Sequence, residues 1–175
     1  GPGATQAAAE LGAHGATTVF ASDDAVFADG LSPPAAHALH ALVDEHRPDL
    51  FLFPTTYDAR DVAGRLQART GSTLLANAVD LPAADRAETR IDGGQRIVAT
   101  ELAGPAPHLV LVRPKSFVAE AVGGTATVVA VPAEVPDDLR RATRVERHRE
   151  AAAGPRLEQA KVDRKSTRLN SSHLG

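Results

Sequence analysis

Cysteine, methionine and tryptophan are absent from this 175-residue chain, and its aromatics are five Phe and one Tyr. Without cysteine there is no disulfide and no thiolate to bind a metal or attack a substrate, which fits a cytoplasmic bacterial protein. Without methionine there is no start residue, so the sequence is expected to begin inside a longer protein. Lysine is missing from Gly1 to Pro114, where Ala and Arg are frequent, the composition of a GC-rich bacterial genome. A net charge of -3 gives no basic face for nucleic acid. No apolar run approaches the ~20 residues that span a bilayer. There is no Gly-x-Ser-x-Gly elbow, no phosphate-binding Gly-x-x-x-x-Gly-Lys loop and no Gly-x-Gly-x-x-Gly turn.

What is present is organised around Pro48 to Gly71. Leu50 to Phe53 is a short apolar run of the kind buried on both faces of a parallel sheet. Thr55 and Asp58 have capping-box spacing, which predicts a helix opening at once behind the strand. Ala59, Val62, Ala63 and Leu66 then fall at helical spacing on one face, Arg60, Asp61, Arg65 and Arg69 point away, and Gly71 ends the helix in a left-handed cap.

The rest of the chain repeats this alternation. Ala4 to Ala13 favours helix, and Thr17 to Ala21 is a β-branched strand. Ser22 to Gly30 reads as a polar connection, and a second helix opens at Ser32 with Pro33 in its first turn. Leu74 to Leu81, Ala87 to Ile91 and Arg96 to Leu102 read as strands, the last two joined by the hairpin signal Asp92-Gly93-Gly94. His108 to Val112 and Thr125 to Val131 are further strands, and Thr143 to Arg149 is a charged candidate for an edge strand. Strands alternating with helices on this short period predict an α/β fold: an open, mainly parallel sheet with helices on both faces, Rossmann-like, carrying an antiparallel edge excursion. The domain is expected to occupy 1–150.

Several of these segments carry a resemblance. LFPTTYDARDVAGRLQARTG resembles the signature segment of the N-terminal domain of the electron transfer flavoprotein alpha subunit, although Ala59 stands where the family usually has Gly. LGAHGATTVF, PPAAHALHALVDEHRPDL, LANAVDL and VRPKSF follow in the family's order. GPRLEQAKV at Gly154 to Val162 resembles the lead-in to its flavin-binding domain. The resemblance implies an adenine-nucleotide-hydrolase-like architecture in which a strand and helix precede Gly1, leaving a gap in the sheet. It implies a parent heterodimer with a beta subunit, carrying electrons from flavin dehydrogenases of the acyl-CoA dehydrogenase type to a quinone oxidoreductase. FAD would lie mainly in the later domain, so this stretch would be scaffold, an electron carrier's part and not an enzyme. Residues 151–162 would be the lead-in to that domain. Asp163 to His173, DRKSTRLNSSH, resembles a sequencing adapter read as protein, making 163–175 a non-native tail.

Candidate chemistry is sparse. Thr55 and Arg113 each follow a predicted strand and are the candidates for an anion site, since strand ends leading to helix N-termini collect phosphates. Simple helix capping by Thr55 and Asp58 weighs more, because no Gly-rich loop is present and Asp58 would repel a phosphate. A stand-alone adenine-nucleotide-binding module is the alternative function, and a hydrolase or transferase on such a sheet lacks a recognisable nucleophile and base. Arg60, Asp61 and Arg65 are an ordinary solvated face by charge pattern, with pairs worth well under ~1 kcal/mol, and become partner-interface candidates through the resemblance. His37 and His40 lie three apart on a helix without a third metal ligand, and His46 near its end complements the helix dipole. Gly123-Gly124 reads as a plain turn.

Overall fold

The computed structural model describes residues 1–29, 31–146 and 148. The chain divides into two units, Gly1–Arg144 and Val145–Gly175. The expected lead-in at 151–162 and tail at 163–175 lie outside the described residues. Of the candidate edge strand, Thr143 makes an isolated bridge, 144–146 form no strand, and Arg149 is outside the described residues.

The elements run α1 (Ala4–Ala13), β1 (Thr18–Ala21), α2 (Val26–Asp29), α3 (Ser32–His46), β2 (Leu50–Pro54), α4 (Tyr57–Thr70), β3 (Leu74–Ala83), β4 (Arg86–Ile91), β5 (Arg96–Glu101), β6 (His108–Val112) and β7 (Thr127–Ala130). The strands form a five-stranded sheet, ordered β2-β6-β3-β4-β5, and a two-stranded sheet, β1-β7. The pairs β1/β7, β2/β6 and β3/β6 are parallel. The pairs β3/β4 and β4/β5 are antiparallel, so the hairpin excursion sits at the sheet edge as the Asp92-Gly93-Gly94 signal predicts. All three of those turn residues have positive φ, which glycine adopts without the Cβ clash that other residues suffer. This is the predicted α/β class.

The strand buried on both faces is β6 and not β2. Leu109 and Val110 are fully buried and Leu111 nearly so, because β6 has a hydrogen-bonded neighbour on each edge. In β2 only Phe53 is buried and Leu52 is 49% exposed, and among the described residues no strand pairs with the other edge of β2. One side of the sheet packs Phe53, Leu109 and Leu111 against Ala63 and Leu66 of α4 and Val43 of α3. Removing a side chain of this size from water stabilises by roughly 1.5–3 kcal/mol. A second cluster joins Val110 to Ala78, Ala87 and Leu102.

Helix α4 forms as the apolar spacing dictates, with Ala63 and Leu66 buried, and it ends at Gly71 with φ 69°. Its start is displaced from the expected one. Thr56 is the N-cap, its side chain accepting from the Ala59 N–H at 3.2 Å. The Thr55 hydroxyl instead donates to the Val112 carbonyl at 2.8 Å, and Asp58 stands in the first turn, where its charge complements the helix dipole. No capping box forms between Thr55 and Asp58.

Helix α1 has no cap of its own at Gly3, and Asp23 replaces it from a loop, accepting from the Thr5 N–H at 3.2 Å and the Thr5 hydroxyl at 2.5 Å. Those hydrogen bonds hold the Asp23 carboxyl below the usual carboxylate range. Asp24 likewise accepts from the Val26 N–H at 2.8 Å and opens α2, a short helix inside the stretch expected to be a plain connection. At the other end of α1 the Ala13 carbonyl accepts from the Val122 and Gly123 N–H groups. Gly12 lies so close to the following segment that a Cβ would stand 2.4 Å from the Ala126 nitrogen. The Gly123-Gly124 turn therefore closes the end of α1 and brings β7 alongside it. Gly12→Ala is expected to push residues 125–126 away and lower stability by ~1–3 kcal/mol in urea unfolding, with lost amide protection in β7. Wild-type stability in this variant would show that the close approach is not structural.

Candidate functional site

The parallel strands β2 and β6 end side by side, with Pro54 registered on Val112, so the structure brings Thr55 and Arg113 to one carboxyl edge. In an open α/β sheet this edge is where a ligand is sought. The Thr55 hydroxyl and the backbone N–H groups of both residues, however, are already spent. The Thr55 N–H and hydroxyl both go to the Val112 carbonyl, at 3.0 and 2.8 Å, and the Arg113 N–H goes to the Ala78 carbonyl at 2.8 Å. Arg113, Pro114, Lys115 and Ser116 form a tight turn in which the Ser116 N–H donates to the Arg113 carbonyl and Lys115 has φ 65°. Pro and a positive φ at the two central positions are the marks of a type II turn.

Arg113 lines two grooves. One, of about 520 Å³, is walled by apolar side chains including Leu52, Leu81, Val112 and Phe117. The other, of about 950 Å³, mixes Arg90 and Lys115 with Asp80 and Glu88, and the two carboxylates oppose an anion there. Thr55 lines neither of these two grooves.

On α4, Arg60, Asp61, Arg65 and Arg69 are all exposed, as the charge pattern predicts. Arg65 Nε lies 3.1 Å from Asp61 Oδ1, an i,i+4 pair of the kind worth a few tenths of a kcal/mol. The Asp61 carboxyl is held below the usual carboxylate range, first by the Ser32 hydroxyl at the start of α3 and then by Arg65. Sequence spacing could not reveal Ser32, which reaches α4 only in the folded chain. The Arg60 side chain has no hydrogen bond or ion pair among the described residues. Arg69 lies apart, in a separate groove with Arg47 and Asp44.

Two histidines of α3 are occupied locally, whereas the His108 Nδ1 of β6 is buried without a hydrogen-bond partner among the described residues. His40 Nδ1 lies 3.3 Å from Asp44 one turn on. The His46 ring, at the last residue of α3, meets Phe20 of β1 with ring centroids 4.5 Å apart. Among the described residues no three His, Asp or Glu side chains gather as metal ligands, and no helix is long and apolar enough to cross a membrane.

Two measurements separate these roles. Thr56→Ala is expected to cost about 1 kcal/mol and expose the Ala59 amide to exchange, whereas Thr55→Val leaves that amide protected. The opposite pattern would restore Thr55 as the cap. Asp61 titrates below its unfolded value of 3.8, so its contribution is present above that value and is lost as pH falls through the folded one. In a carboxyl NMR titration, Ser32→Ala should move Asp61 back toward 3.8 by more than Arg65→Met does. A larger effect of Arg65 would make the ion pair the dominant cause.

Residues 1–137 match the electron transfer flavoprotein domain. The chain is 32% identical over 126 residues to the electron transfer flavoprotein subunit alpha of Mycobacterium tuberculosis, covering 72% of this chain and 39% of that protein. It is 34% identical over 134 residues to the subunit of the same name from Syntrophomonas wolfei, covering 75% and 41%. A third, from Mycobacterium leprae, is 30% identical over 131 residues, covering 75% and 40%. The chain thus spans about two fifths of the length of these curated relatives. With a match over most of its length and the α/β fold described above, the chain belongs to the electron transfer flavoprotein family and resembles the N-terminal part of its alpha subunits.

Proposed function

We propose that residues 1–150 form the scaffold domain of an electron transfer flavoprotein alpha subunit, with 151–162 leading toward a flavin-binding domain. In this reading the parent protein pairs with a beta subunit, holds FAD mainly outside this domain, and works in the bacterial cytoplasm. It takes electrons from flavin dehydrogenases of the acyl-CoA dehydrogenase type and delivers them to a quinone oxidoreductase. Redox chemistry belongs to the flavin, and this domain supplies position and surface.

The carrying observation is the commitment of polar groups at the carboxyl edge. Thr55 and the backbone of Arg113 are bound within the fold, no Gly-rich turn opens α4, and the charged groove beside Arg113 includes Asp80 and Glu88. That arrangement supports a scaffold and disfavours a stand-alone adenine-nucleotide-binding module. Arg60, Asp61 and Arg65 are the proposed partner-facing residues. Arg60 leads them, because Asp61 and Arg65 already bond each other.

The test is co-expression of the whole reading frame with its beta subunit, followed by the visible spectrum of the purified complex. A yellow heterodimer that bleaches with an acyl-CoA dehydrogenase and its substrate is expected, and Arg60→Glu should weaken subunit association about tenfold, a change of ~1.4 kcal/mol. A colourless monomer that retains adenine nucleotide would overturn the proposal and return attention to Thr55 and Arg113.

A further inference from the structure

The turn between β4 and β5 places an aspartate in a conformation suited to glycine. Asp92 has φ 52°, in the left-handed region where the Cβ of an L-residue crowds the following carbonyl oxygen, and Gly93 and Gly94 continue at 64° and 92°. Asp92 and Gly93 are exposed, and a Cβ built on Gly93 would meet nothing within 4 Å. Two contacts close the turn. The Gln95 N–H donates to the Asp92 main-chain carbonyl at 3.3 Å, and Arg96 Nε lies 3.4 Å from Asp92 Oδ2. The side chains of that ion pair are 75% and 56% exposed, so water screens it and it restrains the carboxyl weakly.

An exposed carboxyl followed by glycine has a reaction open to it. The Gly93 backbone nitrogen can attack Cγ of the protonated Asp92 carboxyl, because glycine has no Cβ to hinder the approach. The N–Cγ bond forms, one carboxyl oxygen leaves as water with the amide proton, and a cyclic imide results. Water then opens the ring. Addition at Cγ returns aspartate, whereas addition at the main-chain carbonyl breaks the original peptide bond and leaves the chain running through Cβ and Cγ, with a free α-carboxylate. No oxidant or co-reactant besides water is consumed. We propose that Asp92-Gly93 is a covalent modification site, where Asp92 converts to isoaspartate without an enzyme.

The product exchanges the two contacts that close the turn. The oxygen that accepted from the Gln95 N–H joins the new carboxylate, and the carboxyl that faced Arg96 becomes a peptide carbonyl. The main chain gains a methylene, which releases the left-handed strain at Asp92. All of this happens where the β4/β5 ladder begins, with Ile91 registered on Arg96, and beside the charged groove that Gly93 and Gly94 help to line. The inference rests on turn chemistry and stands apart from the electron-carrier reading.

The test incubates the folded 175-residue chain at neutral pH in water enriched in heavy oxygen and then digests it with trypsin. Arg90 and Arg96 release residues 91–96 as one fragment, separate from Asp29-Gly30, the other Asp-Gly pair in the sequence. The fragment is expected to split into two chromatographic forms of the same composition. Both gain one heavy oxygen, and only the new form accepts a methyl group from a carboxyl methyltransferase specific for isoaspartate. Conversion should run within about tenfold of that in the free hexapeptide Ile-Asp-Gly-Gly-Gln-Arg. Asp92→Glu, which would need a larger ring, should lose the new form. A fragment that stays single and unlabelled while the free hexapeptide converts would show that the fold protects Asp92, and would overturn the proposal. So would a new form that carries no heavy oxygen, since the imide would then not be its source.

Discussion

Pairing on both edges of β6 is the constraint from which the five-stranded sheet follows. A buried backbone N–H or carbonyl left without a partner costs roughly 1–3 kcal/mol, so a strand can run through a core only with a ladder on each side. β6 meets that condition through β2 and β3, and Leu109, Val110 and Leu111 are accordingly withdrawn from water on both faces. Its position then fixes the rest. α4 lies over Leu109 and Leu111 through Ala63 and Leu66, the end of β2 is tied down where Thr55 meets Val112, and Arg113 bonds back to Ala78 of β3.

Much of this was legible from local pattern. Helical spacing placed α3 and α4, and Asp92-Gly93-Gly94 placed the hairpin, because those signals act within a few residues of the chain. Burial was less legible. Leu50 to Phe53 and His108 to Val112 are equally apolar as runs, yet one lies at an edge and the other in the middle of the same sheet. The difference comes from strand order, which composition does not encode. The Gly12 contact was silent for a similar reason: a glycine within a helix reads as a weak helix former until a chain segment more than a hundred residues later packs against it.

The one-residue shift of the α4 cap shows the same competition at the candidate site. Thr55 and Thr56 both carry the hydroxyl a cap needs, and only Thr55 has an acid three residues on. The local rule therefore selects Thr55. The fold assigns that hydroxyl to Val112 on β6, 57 residues away, and leaves Thr56 to receive the Ala59 N–H. Asp61 shows the converse, where the i,i+4 partner Arg65 is visible in the sequence but the stronger influence, Ser32, comes from another helix.

Where groups are committed and where they are not is the most direct guide to use. At the carboxyl edge of β2 and β6 the hydroxyl and amide groups that could have received an anion close the fold instead. One surface differs: the outer side of α4, where the Arg60 side chain has no partner among the described residues. It offers a cation. A guanidinium on an exposed helix gains little from a diffusing ion screened by water, whereas a docked surface desolvates it and fixes its geometry.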